Sequence, residues 1–199
     1  MEIRKILETD LSAVVTVHKN SFKDFFLTKL GDGFLFVYYD SIRKNDNALL
    51  FGVFDNKELC GFCAATTFSR GFNKKLIKNN LLSFFLVGIR ILFINPISLF
   101  RLYKNLSKNN PNVVDDGEYA ELLSIGVSVN RQGEGFGKKL LFELEHELKL
   151  KGCNKVALTT DYNNNNKTLD FYNGMGYSVF YEFLAFPNRK MYKLIKYID

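Results

Sequence analysis

The sequence predicts an α/β (α+β) protein built on one mixed β-sheet with helices on both faces. Three observations predict this class. Runs rich in β-formers alternate with runs of helical periodicity, a glycine-rich turn joins an apolar strand to an amphipathic helix, and 47% of the 199 residues are hydrophobic. A chain of this length and composition fits a single domain with a sizeable core, and we assign residues 1–199 to one domain.

The predicted elements follow each other in the order β-α-α-β-β-insert-β-α-β-α-β-β. Strands are placed on alternating or β-branched runs and helices on apolar residues spaced three or four apart, such as Leu140, Leu144 and Leu148. In residue numbers, these are a strand at 2–7, a helix from Thr9 or Asp10 to about Asn20, a helix after Gly33, strands at 49–54 and 59–68, the insert, a strand at 119–129, a helix ended by Gly152, a strand at 155–160, a short helix around Leu169, and strands at 177–186 and 190–198.

Residues 69–112 form a basic, apolar insert between the third and fourth strands. Between Ser69 and Pro111 the chain carries eight Lys or Arg and no Asp or Glu, and the rest of the chain has a net charge of −2. Its apolar core, Leu81 to Ile94, is too short for a membrane span, and Pro96 divides the insert into two predicted helices. No motif for specific nucleic-acid binding accompanies this charge.

Cysteine and histidine usage argues against several kinds of site. Cys60 and Cys63 lie in one predicted strand, where residues three apart point to opposite faces, so we expect neither a metal site nor a redox pair. His18 and His146 are the only histidines, which disfavours a His-rich metal site or a Ser-His-Asp triad, and we expect both to be structural. The N-terminal residues do not form the apolar run of a signal peptide, and we expect a cytoplasmic protein.

The stretch 131–138 carries most of the chemical information. Gly133, Gly135 and Gly137 remove side chains from a turn that opens a helix, so backbone N–H groups and the positive helix end can hold a pyrophosphate. Gln132 stands where a P-loop has its first glycine, and the spacing Gly-x-Gly-x-Gly differs from the dinucleotide fingerprint. Gln132-x-x-Gly135-x-Gly137 instead resembles the acyl-CoA signature of the GNAT superfamily of N-acetyltransferases.

A second motif carries the same resemblance. Residues 165–177 read Asn165-x-x-Thr168-x-x-Phe171-Tyr172-x-x-x-Gly176-Tyr177, similar to the family's Asn-x-x-Ala-x-x-Φ-Tyr-x-x-x-Gly-Φ, where Φ is apolar. The resemblance covers most of the chain apart from the insert. It implies the acyl-CoA N-acyltransferase fold: a mostly antiparallel sheet of about seven strands, whose fourth strand carries a bulge and separates from the fifth. Gly126 is the expected place of that bulge.

The resemblance also implies roles for individual residues. Ile125 and Val127 would pair with the pantetheine arm of acetyl-CoA through their backbones, Asn165 would hydrogen-bond the same arm, and the glycine turn would hold the pyrophosphate. The implied cofactor-binding residues are Ile125, Val127, Gln132, Gly133, Gly135, Gly137, Lys138 and Asn165.

Two catalytic roles follow from the same resemblance. Tyr172 would protonate the CoA thiolate as it leaves, which suits a phenol that stays protonated at neutral pH. Glu121, eleven residues before Gln132, would be the general base that removes the proton of the amine. Glu118, Ser124 or a water chain are alternatives for the base.

The implied function is transfer of an acetyl group from acetyl-CoA to a primary amine of an unidentified acceptor, by direct attack in a ternary complex without a metal. The N–H near Val127 would polarise the thioester carbonyl. The alternatives are a non-catalytic CoA-binding or regulatory protein and a peripheral membrane-associated protein that uses the insert. For the insert itself, the options are a lid over an anionic acceptor such as a nucleotide-linked amino sugar, contact with a membrane surface, a homodimer contact, or a peripheral helix pair.

Overall fold

The structure, a computed structural model, describes residues 1–23, 25–94, 96–97, 100, 104 and 115–198. The strands are β1 (Glu2–Lys5), β2 (Ala48–Asp55), β3 (Glu58–Thr66), β4 (Ala120–Val127), β5 (Lys155–Asp161), β6 (Ser178–Ala185) and β7 (Arg189–Tyr197). The α-helices are α1 (Leu11–Ser21), α2 (Asp32–Arg43), α3 (Phe72–Asn79), α4 (Leu81–Ile94), α5 (Phe136–Leu150) and α6 (Asn166–Gly174).

The strands described form one sheet in the order β1-β2-β3-β4-β5-β7-β6. Neighbouring strands are antiparallel except β4 and β5, which run parallel. The parallel pair follows from the chain order, because the amphipathic helix α5 crosses over between the two strands. The predicted fold class, a mixed and mostly antiparallel sheet of seven strands flanked by helices, is confirmed.

Helices cover both faces of this sheet. On one face, α1 and α2 pack through fully buried residues such as Leu11, Leu35 and Tyr39 against Phe62 of β3. On the other face, α5 buries the predicted stripe of leucines, Leu140, Leu141, Leu144 and Leu148, against β2, β3 and β4. A fully buried Leu contributes about 1.5–3 kcal/mol. These two cores hold the strands of the site in place.

The strands β4 and β5 pair only at their beginnings and then separate. Their ladder joins Ala120–Leu122 to Val156–Leu158 and ends there. On the β3 side, Ala65 pairs with Leu122 and Ala64 pairs with Ser124, so Leu123 is the extra residue of a β-bulge. The expectation that Gly126 forms the bulge is therefore wrong. Glycine is needed there for space instead, because an added Cβ would lie 3.2 Å from both the Phe62 ring and Ser21 Oγ.

A second bulge changes the interpretation of the cysteines. Val53 pairs with Gly61 and Phe54 with Leu59, which leaves Cys60 unpaired in the ladder. The bulge shifts the alternation by one residue, so Cys60 and Cys63 both lie on the α5 face, and the expectation of opposite faces is wrong. Both thiols are free. Among the described residues, no group of three or more His, Cys, Asp and Glu could hold a metal ion.

The insert begins and ends at one point of the sheet. The Ser69 N–H donates to the Tyr119 carbonyl at 2.9 Å, and the Arg70 N–H donates to the Gly117 carbonyl at 3.2 Å. Between these anchors α3 and α4 meet at a 94° bend at Asn80, a break that the sequence analysis did not predict. The helix predicted after Pro96 lies largely outside the described residues. In the described part of the chain, no single helix is long and apolar enough to cross a membrane, whereas the bent pair α3–α4 meets those criteria.

Candidate active site

A cleft of about 750 Å³ opens where β4 and β5 separate. The C-terminal end of α1 and the loop after it form one wall, and the glycine turn and α6 form another. Seven predicted site residues line the cleft: Ile125, Val127, Gln132, Gly133, Gly137, Asn165 and Tyr172. The other three, Gly135, Lys138 and Glu121, are not among the lining residues.

The backbone of β4 presents an unpaired edge to this cleft. The Ser128 N–H donates to Cys60 O on β3 at 2.8 Å. Since peptide groups in a strand alternate between its two edges, those of Ile125 and Val127 point the other way, toward β5. The β4–β5 ladder ended at Leu122, so β5 does not reach them. The Val127 carbonyl accepts hydrogen bonds from Ser21 Oγ at 3.1 Å and from Gln132 Nε2 at 3.4 Å, which fixes this end of the strand.

The glycine turn presents a run of free N–H groups. Gly133 and Gly135 have φ of +85° and +79°, a conformation that L side chains rarely adopt. The first internal bond of α5 runs from the Lys139 N–H to Gly135 O at 3.1 Å. In the described part of the chain, the N–H groups from Gly133 to Lys138 have no hydrogen-bond acceptor. Free N–H groups at a helix start bind phosphate oxygens well.

Two neighbours shape this turn. Arg131 donates from Nε to Glu134 and from Nη2 to Asp55 at 2.9 Å each, so the turn is tied to the β2–β3 hairpin. The exposed Lys138 ammonium lies 5.6 Å from the centre of the Phe142 ring rather than along the cleft. The backbone of Lys138 belongs to the free N–H run, whereas its side chain does not reach the cleft lining.

Asn165 joins the end of β5 to the start of α6. Its Nδ2 donates to Thr160 Oγ1 at 2.7 Å and to the Asp161 carbonyl at 2.8 Å. With both donor hydrogens engaged, the carboxamide oxygen is left to accept a hydrogen bond. That oxygen is the group that would accept from an amide N–H of a ligand in the cleft.

Tyr172 lies on α6 with its ring in the core and its edge at the cleft. The ring packs 5.2 Å from Phe171 and 5.7 Å from Tyr177, between ring centres. Burial raises the pKa of the Tyr172 phenol, which therefore stays protonated at neutral pH. No described residue hydrogen-bonds to its hydroxyl, and burial alone raises its pKa. The O–H is thus free to donate to a group in the cleft.

Glu121 lies beside the cleft in a tight polar contact. Lys193 of β7 forms a salt bridge to one carboxylate oxygen, and Ser69 Oγ donates to the other at 2.5 Å. The side chains of Glu121 and Lys193 are only 19% and 7% exposed. Both carboxylate oxygens are therefore already engaged by donors of the protein rather than directed to the cleft. Glu118 lies on the surface, 3.9 Å from Arg70.

Comparison with known proteins identifies this arrangement. The family model described as Acetyltransferase (GNAT) family matches residues 16–177. The chain belongs to the GNAT acetyltransferase family. It is an acyl-CoA N-acyltransferase, and enzymes of this family use acetyl-CoA. By sequence, no curated protein matches the chain.

Solved structures of GNAT acetyltransferases share the fold at low identity. The paia N-acetyltransferase of Thermoplasma acidophilum, in complex with coenzyme A, has a TM-score of 0.60 at 18% identity, over 98% of both chains. The ribosomal-protein-alanine N-acetyltransferase of Brucella melitensis has a TM-score of 0.63 at 13% sequence identity, over 99% of both chains. Aminoglycoside 6'-acetyltransferase type Ii has a TM-score of 0.63 at 15% sequence identity, over 100% of this chain and 98% of that one.

The cleft of this acetyltransferase also contains residues that the sequence analysis did not assign to the site. His18 lines it, together with Phe22, Phe25 and Leu27 of the loop after α1. His18 is 2% exposed, and burial lowers its pKa to about 4, so the imidazole is neutral at neutral pH. Its Nδ1 lies 2.6 Å from the Tyr39 hydroxyl, and its Nε2 has no partner among the described residues. A histidine on a helix gives no local signal of such a position.

Proposed function

We propose that this GNAT enzyme transfers an acetyl group from acetyl-CoA to a primary amine by direct attack, with both substrates in the cleft at once. The observation that carries the proposal is the unpaired edge of β4 next to the free N–H run from Gly133 to Lys138. An extended pantetheine arm fits an open strand edge, and a pyrophosphate fits the N–H groups at the start of α5. Bound acetyl-CoA supplies the acetyl group as an activated thioester.

The residues of the chain divide the chemistry between them. The N–H of Val127 donates to the carbonyl oxygen of the thioester and stabilises the negative charge that grows there as the amine attacks. The C–S bond then breaks, and the Tyr172 O–H donates its proton to the leaving thiolate. The carboxamide oxygen of Asn165 accepts from an amide of the arm and holds it in register.

The proton of the amine leaves through water. Ser124 lines the cleft, whereas Glu121 is held beside it by Lys193 and Ser69. This arrangement favours a water chain past Ser124 over direct transfer to Glu121. Glu121 would then support the site by fixing β4 against β7, and its role as the general base stays a prediction.

The acceptor side of the cleft is mainly apolar. Phe22 and Phe25 pack with ring centres 5.1 Å apart, and Leu27 and Leu123 lie near them. The acidic lining residue Asp161 is paired with Arg189. Lys167 is the one Lys or Arg among the described lining residues. This lining suits an amine carried on an apolar or aromatic group, and the expected anionic acceptor stays a prediction.

Two measurements test the proposal. Calorimetric titration with CoA should show binding, and a panel of primary amines, incubated with acetyl-CoA, should release free CoA thiol for at least one amine. Initial rates against both substrates should give intersecting lines, as expected when both bind before reaction. Parallel lines would indicate a covalent acyl-enzyme, and CoA binding without turnover of any amine would indicate a non-catalytic CoA-binding protein.

A further inference from the structure

Helix α4 is apolar on almost every side but is only half covered. One face packs on the domain through Phe84, whose ring centre lies 5.7 Å from that of Phe34 on α2, and through Ile91. The opposite face consists of Leu82, Phe85, Leu86, Ile89 and Phe93, and we call it the exposed ridge. Its residues are 41–83% exposed. A helix that is apolar all round is normally buried, so no part of the chain that the structure describes covers this ridge.

The exposed ridge is too large for ordinary surface. Phe85 is 60% exposed and Phe93 is 83% exposed. At about 200 Å² for each aromatic side chain, these two alone expose on the order of 300 Å². Soluble monomers rarely show contiguous apolar patches beyond a few hundred Å², and larger ones mark binding surfaces.

The charge around the ridge indicates what covers it. Lys74, Lys75 and Lys78 of α3 and Arg90 of α4 are all exposed. They belong to the segment from Ser69 to Pro111, which has eight basic and no acidic residues, in a chain whose remainder carries a net charge of −2. A second copy of this face would bring the same positive charges together, so self-association through the ridge is disfavoured. An anionic lipid bilayer offers acyl chains for the ridge and negative headgroups for the lysines.

Helix length favours a position along the bilayer rather than across it. The 14 residues of α4 span about 21 Å, less than the ~30 Å apolar core of a bilayer. The 94° bend at Asn80 turns the basic helix α3 away from the axis of α4. No described residue of α3 or α4 lines the cleft, so this surface is separate from the proposed active site.

We propose that α3 and α4 form a docking surface for anionic membranes, with the exposed ridge inserted among the acyl chains and the α3 lysines against the headgroups. The acetyltransferase then works at the surface of a bilayer. The proposal does not depend on the acceptor or on the catalytic roles given above.

Vesicle flotation of the full chain tests the charge and the ridge separately. The protein should float with phosphatidylcholine vesicles that contain phosphatidylserine, and much less with phosphatidylcholine alone. The triple variant Lys74→Glu, Lys75→Glu, Lys78→Glu should bind on the order of 100-fold more weakly, since each basic residue contributes about 1 kcal/mol at an anionic surface. The variant Phe85→Ser, Phe93→Ser should bind at least about 10-fold more weakly. The control Phe142→Ser removes an exposed Phe of α5 and should float like the wild type.

Insertion has its own readout because the chain contains no Trp. The fluorescence of Phe93→Trp should shift to the blue when anionic vesicles are added, and that of Phe142→Trp should not. Three results would overturn the proposal. One is absence of flotation, another is wild-type flotation by the Phe85, Phe93 variant, and the third is a wild-type dimer in light scattering that this variant converts to a monomer.

Discussion

The replacement Tyr172→Phe tests the proposed catalytic role of the hydroxyl separately from the packing of the ring. The ring contacts with Phe171 and Tyr177 remain in the variant, and the lost hydroxyl has no partner among the described residues. The free energy of unfolding should therefore change by less than about 1 kcal/mol. Loss of the proton donor should lower kcat by about 100-fold or more, which is the usual contribution of general acid catalysis. The Kd of CoA should stay within about twofold, because the phenol acts on the leaving sulfur.

A matched control lies on the same side of the molecule. The Tyr177 hydroxyl donates to Glu145 at 2.8 Å, is buried, and does not line the cleft. Tyr177→Phe should cost about 1.5–3 kcal/mol of unfolding free energy, the range for a hydrogen bond to a charged group, with kcat nearly unchanged. Denaturant unfolding and thiol release with a responsive amine measure both quantities. If kcat of Tyr172→Phe equals that of the wild type across the pH range, Tyr172 is not the acid.

Three further changes test other parts of the site. Glu121→Gln should lower the free energy of denaturant unfolding by about 3 kcal/mol, because it leaves Lys193 buried without its partner, and the double variant Glu121→Gln/Lys193→Met should recover most of that loss. If the double variant is stable but its kcat is still low at low pH, Glu121 is the base. Since the pKa of His18 is about 4 when folded and 6.5 when unfolded, stability should be full above pH 6.5 and fall by about 3 kcal/mol toward pH 4. His18→Gln should flatten this dependence of stability on pH. If the dependence is unchanged in the variant, protonation of His18 is not its cause. Gly135→Ala, at φ +79°, should raise the Kd of CoA in calorimetry about 10-fold. An equal Kd for this variant and for the helical control Gly174→Ala would show that the glycine turn does not hold the pyrophosphate.

Local patterns predicted the half of the site that is continuous in sequence. The strand β4, the glycine turn and α5 follow from alternation, glycine spacing and the leucine stripe, all of which act over a few residues. The seven strands were predicted with boundaries within about three residues of those in the structure. Asn165 and Tyr172 came from a motif whose members lie on one loop and one helix.

Features that depend on a partner strand could not be predicted. The bulges at Leu123 and Cys60 arise from the register with neighbouring strands, which one strand's sequence does not reveal. The partner of Glu121, Lys193, is 72 residues away in the chain. His18 reaches the cleft only because α1 packs against β3 and β4. Glu121 stands out by its spacing from Gln132, whereas the ion pair that engages its carboxylate depends on a strand far along the chain.

In the proposed complex the free backbone N–H groups of the glycine turn hold CoA, and hydrogen–deuterium exchange measures those groups directly. The amides from Gly133 to Lys138 have no acceptor among the described residues, so they should exchange fast in the free protein. Saturating CoA should slow exchange in peptides that cover 133–138 and 125–127 and leave α3 and α4 unchanged. If CoA binds without slower exchange at 133–138, these N–H groups do not hold the cofactor.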